Sequence, residues 1–289
     1  MNGEKQAMFY EKIEGSKTRC RLCPHNCVIS PGGIGICRAR KNIEGDLFSL
    51  NYARIASISL DRIEKKPLYR FHPGSMILSA GTFGCNLKCS FCQNWSIAHM
   101  DAETDAMPPE TLVSMALAAV KKGNIGLAYT YNEPSIWFEY VYDASRLAKE
   151  KGLYNVLVTN GFIGREPLEL LLPYVDAMNI DVKAFTPSFY EEVCRGALKN
   201  VMETVEAAAG RCHVEVTTLV IPGLNDSVEE IARLSEWLAG ISPEIPLHLS
   251  RFFPNYKMKD RPPTPVETLE KARDTALGRL RHVYLGNVW

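Results

Sequence analysis

The chain has 289 residues, 46% of them hydrophobic, with 33 basic and 33 acidic side chains and a net charge of zero. That length and apolar content support one large core with a small appendage. The charge balance offers no basic face to nucleic acid, no apolar run approaches the ~20 residues of a membrane span, and the start Met-Asn-Gly-Glu-Lys-Gln lacks the apolar core of a signal peptide. The expectation is a cytoplasmic protein with neither a nucleic-acid nor a membrane partner.

Of the nine cysteines, seven fall into two tight groups, which in a cytoplasmic chain reads as metal rather than as disulfides. The first group is Cys20, Cys23, Cys27 and Cys37, spaced C-x2-C-x3-C-x9-C in a glycine-rich stretch. So short a segment has little core of its own, and a metal supplies what is missing. Four thiolates can close a tetrahedron, so the group fits a structural zinc or a fully ligated Fe–S cluster. The expectation leans to zinc, with His25 as a weaker substitute ligand. Residues 42–74 read as short strands and turns joining this module to the main domain. The basic and aromatic run 63–74 within them is either a solvated connector or a lip of the active site.

From 75 onward strand and helix patterns alternate. Strands are expected at 75–80, 126–131, 155–160, 177–183, 213–220 and 246–252, with a seventh candidate at 282–286. Helices are expected at 108–122, 135–151, 166–172, 188–209, 227–239 and 264–280. Pro108-Pro109-Glu110 and Asp226-Ser227 suit helix starts, and Gly123 and Gly152 suit helix ends. Six such units predict an α/β fold, a partial, open (β/α)6 barrel of parallel strands over residues 75–289, behind an N-terminal cysteine-rich module and connector at 1–74.

The second cysteine group follows the first barrel strand. Cys85, Cys89 and Cys92 stand at C-x3-C-x2-C in a loop loosened by Gly81 and Gly84. A four-iron cubane needs four ligands, so three thiolates leave one iron open, and an open position marks a site that does chemistry. The plainer alternative, a zinc knuckle that borrows His99, fits poorly because zinc pairs usually come as C-x2-C with a distant second pair. In barrels of this kind the chemistry gathers at the C-terminal strand ends. Those ends carry the cysteine loop, then Tyr131-Asn132-Glu133-Pro134, Asn160-Gly161, Asp181 and Lys183, Ile221-Pro222-Gly223-Leu224-Asn225-Asp226, and His248, Ser250 and Arg251. Taken singly, each has a plain reading: a turn at Asn160-Gly161, a loop at Pro222-Gly223, an ion pair between Asp181 and Lys183, a core histidine at His248.

The cysteine loop, with Phe91 just before its third cysteine, resembles that of the radical S-adenosylmethionine (SAM) enzymes. In these a [4Fe-4S] cluster splits SAM into methionine and a 5′-deoxyadenosyl radical that abstracts hydrogen. The barrel resembles the activating enzymes of glycyl radical enzymes, such as pyruvate formate-lyase activating enzyme. The stretches Cys20-Arg-Leu-Cys-Pro-His-Asn-Cys27, Glu64-Lys-Lys-Pro-Leu-Tyr69 and Gly81-Thr-Phe-Gly-Cys-Asn-Leu-Lys-Cys-Ser-Phe-Cys-Gln-Asn-Trp95 look closer still to the radical SAM member of the AmmeMemoRadiSam system. The resemblance implies that Cys85, Cys89 and Cys92 bind the catalytic cluster and that Glu133, in Asn132-Glu133-Pro134, receives the SAM ammonium. It implies that Asp181 and Lys183 lie near SAM, Lys183 toward its carboxylate. Ile221-Pro222-Gly223 lies along the adenine and His248 approaches the ribose, with Phe91, Asn132 and Asn160 completing the cofactor site. Two points stand out: Tyr131-Asn132 replaces the Gly-Gly of relatives, and this group is expected to continue past Gly286-Asn-Val-Trp289 into a short tail with a further cysteine pair.

The function implied is hydrogen abstraction from a protein or peptide, with electrons from a donor such as flavodoxin or ferredoxin. The alternatives are a radical SAM enzyme acting on a small molecule and a non-catalytic metal scaffold. An exposed cluster implies an anaerobic or well-reduced setting.

Overall fold

The computed structural model describes residues 5–288. Apolar and β-branched runs form eight strands of one sheet: β1 (Ser57–Arg62), β2 (Met76–Gly81), β3 (Asn124–Tyr129), β4 (Tyr154–Thr159), β5 (Ala177–Asp181), β6 (His213–Val220), β7 (Leu247–Arg251) and β8 (Val283–Gly286). They are ordered β8-β7-β6-β5-β4-β3-β2-β1. Strands β2 to β8 pair in parallel, and β1 adds antiparallel to β2, from Ser57 opposite Gly81 to Arg62 opposite Met76. Among the described residues the two ends of the sheet do not pair, so the barrel is open.

The expected strands are present, including the candidate at 282–286. The strand expected over 177–183 stops at Asp181, which leaves Lys183 on the following loop. The connector was expected to hold short strands outside the barrel. It contributes β1 to the barrel's edge, because its alternation lets Ile58 and Leu60 pack on the core while the strand hydrogen-bonds to β2.

Between the strands run α1 (Pro109–Ala118), α2 (Phe138–Glu150), α3 (Arg165–Leu171), α4 (Leu198–Ala209), α5 (Val228–Ile241) and α6 (Val266–Leu277). Ser227 caps α5, its Oγ accepting the Glu230 amide at 3.2 Å. The single helix expected over 188–209 is broken. A short helical stretch ends at Cys194, Arg195 adopts φ 59°, and α4 begins only at Leu198. The break has a use: the carbonyls of Cys194 and Val193 accept the amides of Lys88 (2.7 Å) and Ser90 (3.3 Å) in the cysteine loop.

The N-terminal segment builds two small antiparallel sheets, one from Lys5–Gln6, Arg40–Ile43 and Asp46–Ser49, the other from Tyr10–Ile13, Lys17–Cys20 and Val28–Ile29. They pack on α2 and the turn before it. Phe9 meets Phe138 edge-on at 5.0 Å, Arg40 pairs with Glu139 at 2.7 Å, and Trp137 Nε1 donates to the Asn51 carbonyl at 2.6 Å. Apolar packing is continuous from Leu22 and Leu47 to Phe138 and Ile180.

The connector run 63–74 is largely buried at its centre, with Leu68 fully covered and Lys66 3% exposed. Its backbone meets the polar inner face of β5 and β6. Asn179 Nδ2 donates to the Pro67 carbonyl at 2.8 Å, and Glu215 accepts the amides of Tyr69 (3.1 Å) and Arg70 (2.7 Å).

Candidate active site

The cysteine loop leaves β2 and is fixed on several sides. Asn132, at the end of β3, accepts the Thr82 amide on Oδ1 (3.0 Å) and donates Nδ2 to the Gly84 carbonyl (2.9 Å). The Asn132 side chain therefore fixes the start of the cysteine loop from two sides. Tyr131 before it adopts φ 71° and donates its hydroxyl to Asp61 at 2.9 Å. Gly84 is required twice over: its φ is +92°, and a Cβ there would lie 2.4 Å from the Cys37 carbonyl oxygen. Asn86 Nδ2 donates to the Phe162 carbonyl at 2.6 Å.

The ends of β4 and β3 meet this loop through one network. Asn160 Nδ2 donates to Asn86 Oδ1 at 2.9 Å and lies 3.6 Å from Cys85 Sγ. Glu133 is 2% exposed and accepts from Thr159 Oγ1 (2.6 Å), the Asn160 amide (2.7 Å) and the Ser135 amide (2.9 Å). Burial pushes the Glu133 carboxyl up, and these donors only partly offset it. Three of its roughly four lone-pair sites are used, which leaves room for one further donor.

The end of β5 supplies charge. Asp181 and Lys183 pair at 2.5 Å, with side chains 30% and 16% exposed. Burial alone would lower the Lys183 ammonium, but the Asp181 carboxylate and then Cys89 outweigh it, so the net direction is up. Burial pushes the Cys85 thiol up, with Glu133 next in effect; Cys92 is raised to about 11 by burial and Cys89, while Lys183 opposes. A bound metal would reverse this tendency and deprotonate the thiols.

Four other expected contributors, Phe91, Pro222, Gly223 and His248, are held by packing and hydrogen bonds. Phe91 is 5% exposed and packs against Phe189 with ring centres 6.0 Å apart. Pro222 and Gly223 form a turn held by Arg261 on the Pro222 carbonyl (2.8 Å) and by Asp226 on the Gly223 amide (2.9 Å). His248 is 4% exposed, its Nε2 is engaged by Glu215 at 2.6 Å, and its ring packs against those of Tyr69 and Tyr284. His248 is therefore built into the polar layer beneath the connector, bonded to Glu215.

Sequence reasoning missed Glu215 and gave Asn225, named only as part of the strand end 221–226, no role of its own. Glu215 is fully buried and gathers His213 (2.9 Å), His248 and the two connector amides. Its signal was the period-two alternation His213, Glu215, Thr217 on one face of β6. Asn225 donates to the carbonyls of Lys183 (2.7 Å) and Leu219 (2.9 Å), tying the loops after β5 and β6 together. Although burial pushes the Glu215 carboxyl up, His213, His248 and the Arg70 amide hold it at about 2. Unfolded, a glutamate titrates near ~4.3. The stabilisation is therefore complete above that value and lost as pH falls toward about 2. Glu215→Gln is expected to lower the melting temperature at pH 7 and to flatten its dependence on pH over that window. Melting curves collected from neutral to acid pH check this, and an unchanged acid limb would refute it.

Comparison with known proteins places this geometry. Residues 80–235 match the model of the Radical SAM superfamily, just over half of the chain. The chain belongs to that superfamily and is an enzyme of it, with the family's [4Fe-4S] cluster and SAM as cofactors. It is 42% identical over 290 residues to an uncharacterized protein of Methanocaldococcus jannaschii, covering 98% of this chain and 85% of that one. A GTP 3′,8-cyclase of Peptoclostridium acidaminophilum is 30% identical over 157 residues, 52% of this chain and 48% of the cyclase, so the chain matches only about half of that protein. The pyruvate formate-lyase-activating enzyme of Clostridium pasteurianum is 24% identical over 162 residues, 55% of this chain and 67% of that enzyme.

Proposed function

We propose that Cys85, Cys89 and Cys92 hold the family's [4Fe-4S] cluster and that Glu133, Asn160, Asp181 and Lys183 bind SAM beside it, for hydrogen abstraction from a protein or peptide. The observation that carries this is the meeting of the β3 and β4 ends with one three-cysteine loop through the Glu133–Asn160–Cys85 network, with the Asp181–Lys183 pair at the end of neighbouring β5. When bound, the cluster supplies the electron that cleaves SAM to the 5′-deoxyadenosyl radical. The residues bind and orient. Glu133 keeps one acceptor site for an ammonium, Lys183 offers a cation to a carboxylate, and Asn132 holds the loop backbone in place. The four N-terminal cysteines form a second metal-binding group, and an electron donor of the flavodoxin or ferredoxin kind serves the site. Among the described residues no helix is long and apolar enough to cross a membrane, and we read the protein as cytoplasmic.

Lys183→Met is expected to weaken SAM binding roughly ten- to a hundredfold, the effect of losing one charge-assisted hydrogen bond of ~1.5–3 kcal/mol. Calorimetric SAM binding to the reconstituted enzyme measures it. Unchanged affinity with a large drop in melting temperature would make Lys183 a structural partner of Asp181 alone.

The activating enzyme among the relatives is named for a protein target and the cyclase for a nucleotide. A sheet with unpaired ends leaves a wide mouth, which supports the protein or peptide reading. The reconstituted enzyme, SAM and dithionite are incubated with the macromolecular or the low-mass fraction of a host lysate. Deoxyadenosine formation is expected to rise above the uncoupled rate with the macromolecular fraction. A rise with the low-mass fraction alone would overturn the protein reading in favour of a small molecule.

A further inference from the structure

The N-terminal cysteines come together. Cys20, Cys23, Cys27 and Cys37 all line one cavity, with Leu22, Ile29 and Ile136 as its apolar wall. Three of the four are less than 10% exposed, at 7%, 9% and 8% for Cys20, Cys23 and Cys37. Arg40 lines the same cavity, is 1% exposed, and has its Nε–H without a partner, while Nη1 pairs with Glu139. A buried guanidinium with a free donor beside four thiols indicates an anionic occupant, and a metal ion with four thiolates carries net negative charge.

Zinc is the less suitable occupant. Its four sulfurs would meet about one point, ~2.3 Å from the ion and therefore ~3.8 Å from each other. Among the described residues no three Cys, His, Asp or Glu groups converge on a single-ion position. The four thiols line the wall of one cavity and do not form a single-ion group. Cys85, Cys89 and Cys92 likewise form no single-ion group, and there the family's ligand is a cubane, whose terminal thiolates stand further apart because each binds a different iron.

The cavity also touches the active-site loop. Asn86, next to Cys85 in the chain, lines it, and its carbonyl is 2.8 Å from His25 Nε2. On the other side the Cys37 carbonyl abuts Gly84. We propose that Cys20, Cys23, Cys27 and Cys37 hold a second [4Fe-4S] cluster, not zinc, close enough to the cluster at Cys85, Cys89 and Cys92 for the two to interact magnetically when each carries one electron. This reverses the expectation of zinc. It rests on the proposed cluster assignment only for the partner of that interaction.

The test uses the full chain, purified and reconstituted anaerobically. Wild type is compared with a Cys85→Ala/Cys89→Ala/Cys92→Ala variant and a Cys20→Ser/Cys37→Ser variant. The expected metal content is about eight irons and no zinc in wild type, and about four irons in each variant, on the basis of one cubane per site. The first variant leaves the N-terminal group intact, so a folding defect in the second does not spoil the reading. Dithionite-reduced wild type is expected to give a broadened, fast-relaxing EPR spectrum that becomes a simple single-cluster signal in the first variant. Zinc retained in that variant, or loss of all its iron, would overturn the proposal. Four irons kept by that variant with only four in wild type would leave the N-terminal cluster standing and remove the assignment at Cys85, Cys89 and Cys92. Eight irons with two non-interacting signals would overturn the proximity.

Discussion

Replacing Cys85, Cys89 and Cys92 together by alanine is expected to abolish reductive cleavage of SAM. The thiolates are the only covalent hold that the proposal gives the catalytic cluster, so the effect is a loss of turnover and not a graded change in affinity. The measurement is 5′-deoxyadenosine formed from SAM and dithionite under anaerobic conditions. The variant should keep its fold, because the loop is also held by contacts that do not involve sulfur: Asn132 to Thr82 and Gly84, the amides of Lys88 and Ser90 to the Cys194 and Val193 carbonyls, and Asn86 to Phe162. Far-UV circular dichroism close to wild type would therefore accompany the loss. Deoxyadenosine still produced by the folded triple variant would show that the assignment is wrong.

The largest effect on stability is expected at Glu139. Its carboxylate is buried, with side-chain exposure of 2% for Arg40 and 0% for Glu139, and it accepts Arg40 Nη1 at 2.7 Å and the Met8 amide at 2.9 Å. Glu139→Ala leaves a buried cation and a backbone donor without their partner. Breaking a buried pair in this way costs about 3–5 kcal/mol. The pair joins the strand Arg40–Ile43 of the N-terminal segment to α2 of the barrel, so the loss falls on the seam between them. Denaturant unfolding of the anaerobic protein measures the cost. The double substitution Arg40→Met/Glu139→Leu is expected to recover a substantial part of it, because two apolar groups of similar size need no charge partner. A cost below about 1 kcal/mol for Glu139→Ala, the scale of an exposed pair, would show that water reaches the site.

Local sequence signals decided the architecture. Runs such as Asn155-Val-Leu-Val-Thr159 and the alternating helical segments were sufficient for a parallel open barrel, because hydrophobic period and turn residues act over a few positions. The cysteine spacing likewise marked the reactive loop, since a short loop is all that three ligands to one cluster require. Asn160, Asp181 and Lys183 were legible as polar residues at strand ends, where no core explains them.

What the sequence left undecided depends on contacts between distant segments. His248 finds its hydrogen-bond partner in Glu215, 33 residues earlier, which also holds the connector backbone. Helix α4 starts late because Cys194 and Val193 lend their carbonyls to a loop about a hundred residues away, a demand that no local propensity encodes. The run 63–74, basic and aromatic by composition, becomes a buried plug because Glu215 and Asn179 satisfy its backbone. The two cysteine groups, far apart in the chain, are neighbours only because Gly84 lets the Cys37 carbonyl approach. Periodicity and ligand spacing are properties of consecutive residues, and these determined the class of fold and the reactive loop. The pairing of buried polar groups is a property of the folded chain, and it alone decided which partners the candidate residues bond to.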